Sequence, residues 1–218
     1  MKIVKPLQLQ AYEVLKSMIL DGKLEPKTIY SETRVSKELG ISRTPMRDAI
    51  QCLSQERYLD VIPSKGFCLH EMTQQDLIET YQIRCALEGF CVVQLAKDFE
   101  LPESKPILAR LEELLKAQET VIRTTHSIEE FAAYDQSFHE CIVHSLHNSV
   151  ISDTFDNYHY QMSRQATLSL ELPGRMEQTL EEHMMIFHSI KLGAVGGSYK
   201  ATLTHLEKPK GIIHLAEK

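Results

Sequence analysis

The chain has 218 residues, of which 43% are hydrophobic, 25% charged and 7% aromatic. This balance is typical of a globular protein and excludes a disordered, collagen-like or disulfide-scaffold chain. No stretch approaches the roughly 20 consecutive apolar residues of a membrane span, and the start lacks the apolar run of a secretory signal. We therefore expect a cytoplasmic protein with no membrane partner. The five cysteines form no CxxC pair, which disfavours a thiolate zinc site.

Charge separates the chain into two parts. Residues 1–70 hold 11 Lys and Arg against 8 Asp and Glu, a net charge of +3. Because the whole chain carries −6, residues 71–218 carry −9. None of the ten histidines precedes His70. A basic head on an acidic, histidine-rich body predicts two domains, 1–70 and 71–218, the first of which faces a polyanion.

The spacing of apolar residues in the head predicts three short helices. The first runs over residues 7–21 and stops at Gly22. Ser31 can cap a second, brief helix that Gly40 closes. Ser42 can cap the third, in which Pro45 sits harmlessly in the first turn.

Two extended segments follow the third helix, residues 58–62 and 67–70. The tetrapeptide Pro63-Ser64-Lys65-Gly66 joins them and indicates a hairpin with a basic tip. Three helices followed by such a hairpin predict a winged helix-turn-helix domain.

Arginines on the third helix are the first candidate site. Arg43, Arg47 and Gln51 share one face at intervals of four residues, opposite the apolar face that packs. A solvated helix face is the simpler interpretation of such residues. Their position at the start of a recognition helix favours contacts with DNA in the major groove, with the wing reaching the backbone or minor groove. The candidate DNA-binding residues are Ser42, Arg43, Thr44, Arg47, Lys65 and Gly66.

The segment SETRVSKELGISRTPMRDAI, residues 31–50, closely resembles the DNA-binding signature of the GntR family of bacterial transcription regulators. With the wing, the resemblance covers about 65 residues. It implies that Arg43, Thr44 and Arg47 contact operator DNA. The family usually has an arginine directly after the Ser-Glu pair, where this chain has Thr33. Arg34 follows one step later, about 100° around the helix, and is included as a candidate contact.

The body shows only helical patterns, and capping boxes are expected at Thr73/Asp76 and Ser127/Glu130. An antiparallel, all-α bundle is therefore predicted. The six expected helices cover residues 73–98, 103–124, 128–147, 150–171, 176–192 and 197–207.

Four polar residues of the body have the spacing of a metal site. Asp135 and His139 lie four residues apart on one helix face, and His183 and His205 each have apolar neighbours on later helices. An ion pair on the helix surface and hydrogen-bonded core histidines are the simpler alternatives. His144 and His188 each lie five residues from a candidate, about 140° around the helix, and are expected to point elsewhere.

Residues 73–207 resemble the FCD domain, the helical ligand-binding domain of FadR-type GntR regulators. Metal-binding members of that family carry DxxxH, then EHxxI, then a His-Leu pair 22 residues after the second histidine, and this chain has all three. The resemblance implies that Asp135, His139, His183 and His205 bind a metal. Three imidazoles and one carboxylate suit a divalent transition metal such as zinc or nickel. Arg84, in the family-like RCALE segment, is a candidate partner for a carboxylate effector, with an ion pair as the alternative.

Together these features predict a homodimeric, metabolite-responsive regulator that binds double-stranded operator DNA and a small organic acid, and that is not an enzyme. The resemblance implies a repressor released by its effector. A metal-sensing regulator is one alternative. A metal-dependent hydrolase or lyase is less favoured, because no HExxH-like helix supplies a general base.

Two departures from the family concern the end of the chain. Such domains usually carry an acidic residue at the position of Ala194, and its absence predicts that the last helix starts late, at about residue 197. The tail from Lys208 contains Pro209 and Gly211, which break a helix, and its apolar end is a candidate for docking on the bundle.

Overall fold

The computed structural model describes residues 6–208, and the chain divides into two compact units between Met72 and Thr73. The amino-terminal unit has three helices and one antiparallel hairpin, as predicted. Its elements are α1 (Leu7–Leu20), α2 (Glu32–Glu38), α3 (Arg43–Gln55), β1 (Leu59–Ile62) and β2 (Gly66–Leu69).

The core of this unit forms between α1 and α3. Ala11 and Leu15 of α1 are fully buried, as are Met46, Ala49 and Leu53 of α3, which confirms the apolar faces expected from the sequence. Ser31 and Ser42 occupy the N-cap positions of α2 and α3 with extended backbones. Neither hydroxyl makes the capping hydrogen bond that the sequence predicted.

The hairpin differs from the prediction by about one residue. β1 and β2 pair with Ile62 opposite Gly66, so Gly66 belongs to the second strand rather than to the tip. A bridge between Tyr30 and Phe67 ties this strand to the segment before α2. At Gly66 the backbone φ is +137°, and a Cβ there would lie 2.0 Å from the carbonyl oxygen of Tyr30. Gly66 is therefore required by the close approach of two backbones.

Replacing Gly66 by alanine is expected to destabilise the amino-terminal unit by about 3 kcal/mol or more, because backbone strain and a steric clash combine. Hydrogen exchange of the amides of α3 and the hairpin, measured on the full chain, checks this prediction. The matched control is Gly40→Ala, where φ is +65° but no atom lies within 4 Å of the added Cβ. Equal protection in both variants would show that the contact with Tyr30 contributes nothing.

The carboxy-terminal unit is helical throughout its described elements, in agreement with the predicted fold class. Those elements are α4 (Gln74–Lys97), α5 (Ser104–Arg123), α6 (Ile128–His144), α7 (Ser149–Asn157), α8 (His159–Leu170), α9 (Arg175–Lys191) and α10 (Val195–Glu207). None of the helices within residues 6–208 is long and apolar enough to cross a membrane.

The expected capping boxes are formed to different extents. Thr73 and Asp76 cap each other reciprocally at the start of α4. Ser127 accepts from the backbone N–H of Glu130 at the start of α6. The carboxylate of Glu130 instead accepts from the Thr125 hydroxyl.

The spans predicted for the third and fourth helices of the body were wrong. α6 ends at His144 rather than residue 147, because Asn148 caps a new helix by accepting from the N–H groups of Val150 and Ile151. The helix expected over 150–171 is two helices that meet at Tyr158. The backbone N–H of Tyr158 donates to the carbonyl oxygen of Phe155, three residues earlier, rather than to the residue four positions earlier as in an α-helix. The body therefore has seven helices within the described residues, not six.

The last helix begins at Val195, two residues before the predicted start, although Ala194 offers no side-chain cap. α10 packs closely on α4 because Gly89 leaves room for Tyr199, whose ring would lie 2.9 Å from a Cβ at that position. This packing brings the buried Arg84 and Glu88 of α4 to the side of the bundle that contains His205. The tail after Lys208 lies outside the described residues.

Candidate functional site

The four candidate metal ligands come together inside the carboxy-terminal unit. Asp135 and His139 project from α6, His183 from α9 and His205 from α10, and each is at most 5% exposed. One ligand atom of each lies within 4.8 Å of the others. These four residues are called the His/Asp cluster below.

The three imidazoles face one another through their Nε2 atoms. His139 and His205 Nε2 lie 3.1 Å apart, and each lies 3.3 Å from His183 Nε2. Asp135 Oδ1 lies 3.4 Å from His183 Nε2. Nitrogen atoms bound tetrahedrally to one zinc ion are about 3.3 to 3.4 Å apart, given metal–nitrogen distances of about 2.0 to 2.1 Å. The observed spacing is therefore that of ligands which share one ion.

The opposite ring nitrogens explain why the Nε2 atoms face inward as acceptors. His183 Nδ1 bonds to Gln118 Oε1 at 3.0 Å, and His205 Nδ1 bonds to Glu182 Oε2 at 2.8 Å. His139 Nδ1 lies 2.7 Å from Glu88 Oε2, though without the alignment of a linear hydrogen bond. Because carboxylate and amide oxygens only accept, each Nδ1 carries the proton and each Nε2 presents a lone pair. Three converging lone pairs repel one another unless a cation lies among them.

Two buried arginines hold the outer carboxylates. Arg84 Nε lies 2.6 Å from Glu88 Oε1, and Arg175 grips both oxygens of Glu182 at 2.9 and 2.8 Å. Burial by itself would raise the pKa of Glu88, but Arg84 and His139 outweigh it and lower that pKa to about 2. For Glu182, His205 and Arg175 likewise overcome burial and lower the pKa to about 2. Both outer groups are therefore anionic at neutral pH.

Burial also controls the protonation of the cluster. Burial, followed by the neighbouring His205 and His139, holds the pKa of His183 well below its ordinary value of 6.5. Burial lowers the pKa of His205 in the same direction, although Glu182 opposes it. Both rings are therefore neutral at pH 7, which is the form that binds metal ions.

Two narrow cavities flank the cluster, and Arg84, Asp135 and Ala166 line both. The first cavity is completed mainly by α6, α7 and α8, with Gln136 and Ser163 as its neutral polar groups. The second is completed by α8, α9 and α10 and contains Ser169, Thr179 and Arg175. These cavities place a guanidinium group, the predicted Arg84, beside the cluster. Arg84 also makes an ion pair, which was the alternative interpretation of this residue. The pair is with Glu88, and both side chains are buried inside the bundle.

Sequence reasoning missed the groups that orient the imidazoles. Gln118 lies on α5, 65 residues from its partner His183, and no local pattern marks it. Glu182 and Arg175 are seven residues apart in the sequence. Only the folded structure, in which both are buried, shows that they form a pair. Glu88 had one usable signal, its position four residues after Arg84.

Two histidines of the body lie outside the cluster, as predicted. His144 contacts Asp156 through Nε2 at 3.2 Å. The side chain of His188 is exposed on α9. Each lies five residues from a member of the His/Asp cluster, and this spacing directs its side chain away from the cluster.

The candidate DNA-binding residues lie on the surface of the amino-terminal unit. Ser42 precedes α3, and Arg43, Thr44 and Arg47 occupy its first two turns with exposed side chains. Arg47 pairs with Glu32 of α2 through Nε at 2.9 Å. This surface pair places the guanidinium beside Glu32, where the two helices meet.

The remaining candidates of this unit differ in setting. Arg34 is exposed and pairs with Glu38, one turn later on α2, at 2.8 Å. Lys65 is exposed at the tip of the hairpin. Gly66 has the structural role described above, and its contribution to DNA binding stays a prediction.

Comparisons with known proteins agree with this division. The family described as bacterial regulatory proteins, gntR family, matches residues 7–69, and the FCD domain family matches residues 79–208. The HTH-type transcriptional regulator YdhC of Bacillus subtilis is 31% identical over 187 residues, covering 85% of this chain and 81% of that protein. The gluconate operon transcriptional repressor of Bacillus subtilis is 28% identical and covers 84% of this chain and 71% of its own length.

Solved structures share the fold. Escherichia coli McbR/YncC covers 99% of this chain and 100% of its own, with a TM-score of 0.72 and 22% identity. The match to a transcriptional regulator from Rhodococcus sp. RHA1 covers 95% of this chain and 98% of that protein, with a TM-score of 0.74 and 18% identity.

A winged helix-turn-helix unit followed by a helical FCD unit is the domain combination of transcription regulators rather than of enzymes. The chain belongs to the GntR family of these regulators, with an FCD domain as its carboxy-terminal part.

Proposed function

We propose that the His/Asp cluster holds one divalent transition-metal ion. The observation that carries this proposal is the convergence of three Nε2 atoms, with an oxygen close to Nδ1 of each ring and hydrogen-bonded to it in His183 and His205. Such outer partners are typical of metal-bound histidines. Three imidazoles and one carboxylate favour zinc or nickel over ions that prefer oxygen ligands alone.

The same site is proposed to receive a small organic acid as effector. A divalent ion supplies positive charge and open coordination positions for a carboxylate. Arg84 supports this role because its side chain lines both cavities and only its Nε contacts Glu88. Arg175 is a weaker candidate, because each of its three guanidinium nitrogens already faces Glu182 or Ser169.

The amino-terminal unit is proposed to bind double-stranded operator DNA through the start of α3. A helix N-terminus with free N–H groups and arginine side chains suits contacts to phosphates and guanine edges. The proposed contacts are Ser42, Arg43, Thr44, Arg47, Lys65 and Gly66, with Arg34 as a further candidate.

We propose that two chains form a homodimer in the cytoplasm and repress transcription until the effector binds. An effector that binds one arrangement of the two DNA-binding units more tightly shifts the dimer towards it, and this changes operator affinity. Relatives named as repressors support this direction.

Metal content tests the proposal. Protein purified without a chelator or a nickel column should contain about one transition-metal ion per chain by elemental analysis. Stripped protein should regain metal and, with it, release of DNA by organic acids. If metal alone changes operator affinity and no acid adds to it, the protein is a metal sensor. If stripped protein binds neither zinc nor nickel, the proposed centre is wrong.

The metal-free protein is expected to lose stability as the pH falls from 7.5 to 5.5. His183 and His205 stay neutral in the fold, whereas unfolded imidazoles take up protons near pH 6.5, so below that pH protonation favours the unfolded chain. Each group contributes up to about 1.4 kcal/mol per pH unit. Thermal unfolding followed by circular dichroism checks this.

The anionic Glu88 and Glu182 contribute in a lower window. Their pKa values of about 2 lie below the ordinary 4.5, so their stabilisation is lost only below about pH 4.5. A melting temperature that is constant or rises between pH 7.5 and 5.5 would contradict the neutral state assigned to the imidazoles.

A further inference from the structure

An acidic side chain lies among the arginines of the candidate DNA-binding surface. Glu32 is the first residue of α2, and Arg47 lies in the second turn of α3. Glu32 Oε1 accepts from Arg47 Nε at 2.9 Å, and Glu32 Oε2 accepts from Arg47 Nη2 at 3.4 Å. The phosphates of a docked duplex would repel this carboxylate. Its place on the surface is therefore not explained by attraction to DNA.

Helix stability explains only part of this arrangement. A carboxylate in the first turn of a helix interacts favourably with the helix dipole, and Glu32 is the acidic residue in the first turn of α2. That interaction requires no arginine. The side chain of Glu32 is 27% exposed, whereas that of Arg47 is 60% exposed. The carboxylate is thus the more enclosed partner of the pair, and the guanidinium is the group that faces outward.

The pair occupies one edge of the guanidinium and leaves another. Arginine has five N–H donors. The Nε donor and one Nη2 donor face Glu32, and Nη1 makes no hydrogen bond within residues 6–208. Nη1 and the second Nη2 donor form a fork that suits O6 and N7 of a guanine. Arg47 can therefore contact a base in the major groove while its pair with Glu32 is kept.

A contact between Arg47 and a phosphate is affected differently. Phosphates attract arginine mainly through charge, and the adjacent carboxylate offsets the charge of Arg47. If the guanidinium turned away to reach a phosphate, Glu32 would be left unpaired near the DNA backbone, and an unpaired charge is a penalty against the wrong partner. Arg43, one turn earlier on α3, is exposed and has no ion pair within the described residues. Its charge stays available for phosphates.

We propose that Glu32 is a specificity-determining residue of the amino-terminal unit. It weakens contacts of Arg47 with phosphates, which are present on every sequence, and spares a contact with a guanine, which depends on the sequence. This inference rests on the proposed DNA contacts of α3. It concerns how the unit distinguishes its operator from other DNA and does not depend on the metal.

The Glu32→Gln variant tests this role, because it removes the charge and keeps the size of the side chain. Fluorescence anisotropy gives the affinity of the full chain for DNA from upstream of its own gene and for a scrambled duplex, each over a range of salt concentrations. The variant should bind the scrambled duplex about two- to fivefold more tightly, the range expected for a surface ion pair. The upstream duplex should change less. On the scrambled duplex the salt slope should steepen by about one, because Arg47 gains a phosphate contact.

Two further variants separate the pair from a general effect of charge. Asp48→Asn removes the same charge from an exposed residue next to Arg47, and Asp48 makes no ion pair within the described residues. It should change the affinity for both duplexes by the same factor, so that their ratio stays that of the wild type. Glu32→Gln combined with Arg47→Ala should show the same ratio as Arg47→Ala alone, because the carboxylate then has no arginine to act on.

Three results would overturn the inference and leave α3 as the DNA-binding helix. The first is a wild-type ratio of the two affinities in Glu32→Gln. The second is an equal fall of the ratio in Asp48→Asn, since charge alone would then explain the effect. The third is an equal fall when Glu32→Gln is added to Arg47→Ala. If Arg47→Ala itself binds the upstream duplex as the wild type does, the proposed contact of α3 fails, and this inference fails with it.

Discussion

The His183→Ala variant is expected to lose the bound ion and all of the stabilisation that the ion gives. In the proposed metal site His183 is the central residue, since its Nε2 lies within 3.4 Å of a nitrogen or oxygen atom of each of the other three cluster residues. A ligand that binds only the folded state stabilises it by about 4 kcal/mol when its free concentration is about 1,000 times its dissociation constant. Zinc should therefore raise the melting temperature of the wild type and not that of the variant. Elemental analysis and thermal unfolding with and without zinc measure both effects.

His188→Ala is the matched control for that experiment. It lies on the same helix, α9, five residues further on, and its side chain is exposed. This variant should keep its metal and its zinc-induced rise in melting temperature. A full metal content in His183→Ala would instead mean that the ligand set is wrong.

Replacing Arg47 by alanine is expected to weaken operator binding by about 1–3 kcal/mol, the usual cost of losing an arginine that contacts a base. The variant should fold normally, because the pair that Arg47 makes with Glu32 is on the surface, and such pairs contribute at most about 1 kcal/mol. Fluorescence anisotropy with DNA from upstream of the protein's own gene measures the change. The loss should be smaller on a scrambled duplex if Arg47 contacts a base, and equal on both if it contacts a phosphate.

Arg110→Ala controls for the loss of one positive charge. Arg110 is exposed on α5 of the other unit, where it pairs with Glu113. Its removal should leave operator affinity unchanged. Unchanged binding by the Arg47 variant would remove α3 from the DNA-binding surface.

Much of the fold follows from patterns within single helices. The buried face of α3 and the cap of α4 were predictable because they depend on residues three or four positions apart. Asp135 and His139 are of the same kind, and the family resemblance added His183 and His205 from other helices. The break at Tyr158 was not predictable, because no proline or glycine marks it in the sequence.

The groups that orient the imidazoles were not predicted from the sequence, because they depend on contacts between helices. Gln118 reaches His183 only because α5 packs against α9, and the sequence near Gln118 carries no sign of that contact. Gly66, by contrast, was noticed in the sequence but assigned to the wrong part of the hairpin. Its place after Lys65 suggested that it belongs to the basic tip of the hairpin, whereas the approach of the Tyr30 carbonyl oxygen to the second strand explains why the residue is glycine.

We propose that an ion-centred site in the helical unit controls how firmly the winged helix-turn-helix unit holds DNA. The most direct measurement is the affinity of the metal-loaded full chain for its own upstream DNA at physiological salt, with and without an organic acid that the chain binds. We expect a dissociation constant in the range of about 10⁻⁸ to 10⁻¹¹ M, weakened by the acid in the wild type and unaffected by it in His183→Ala. Binding no tighter than to scrambled DNA, or an identical response in the variant, would contradict the account.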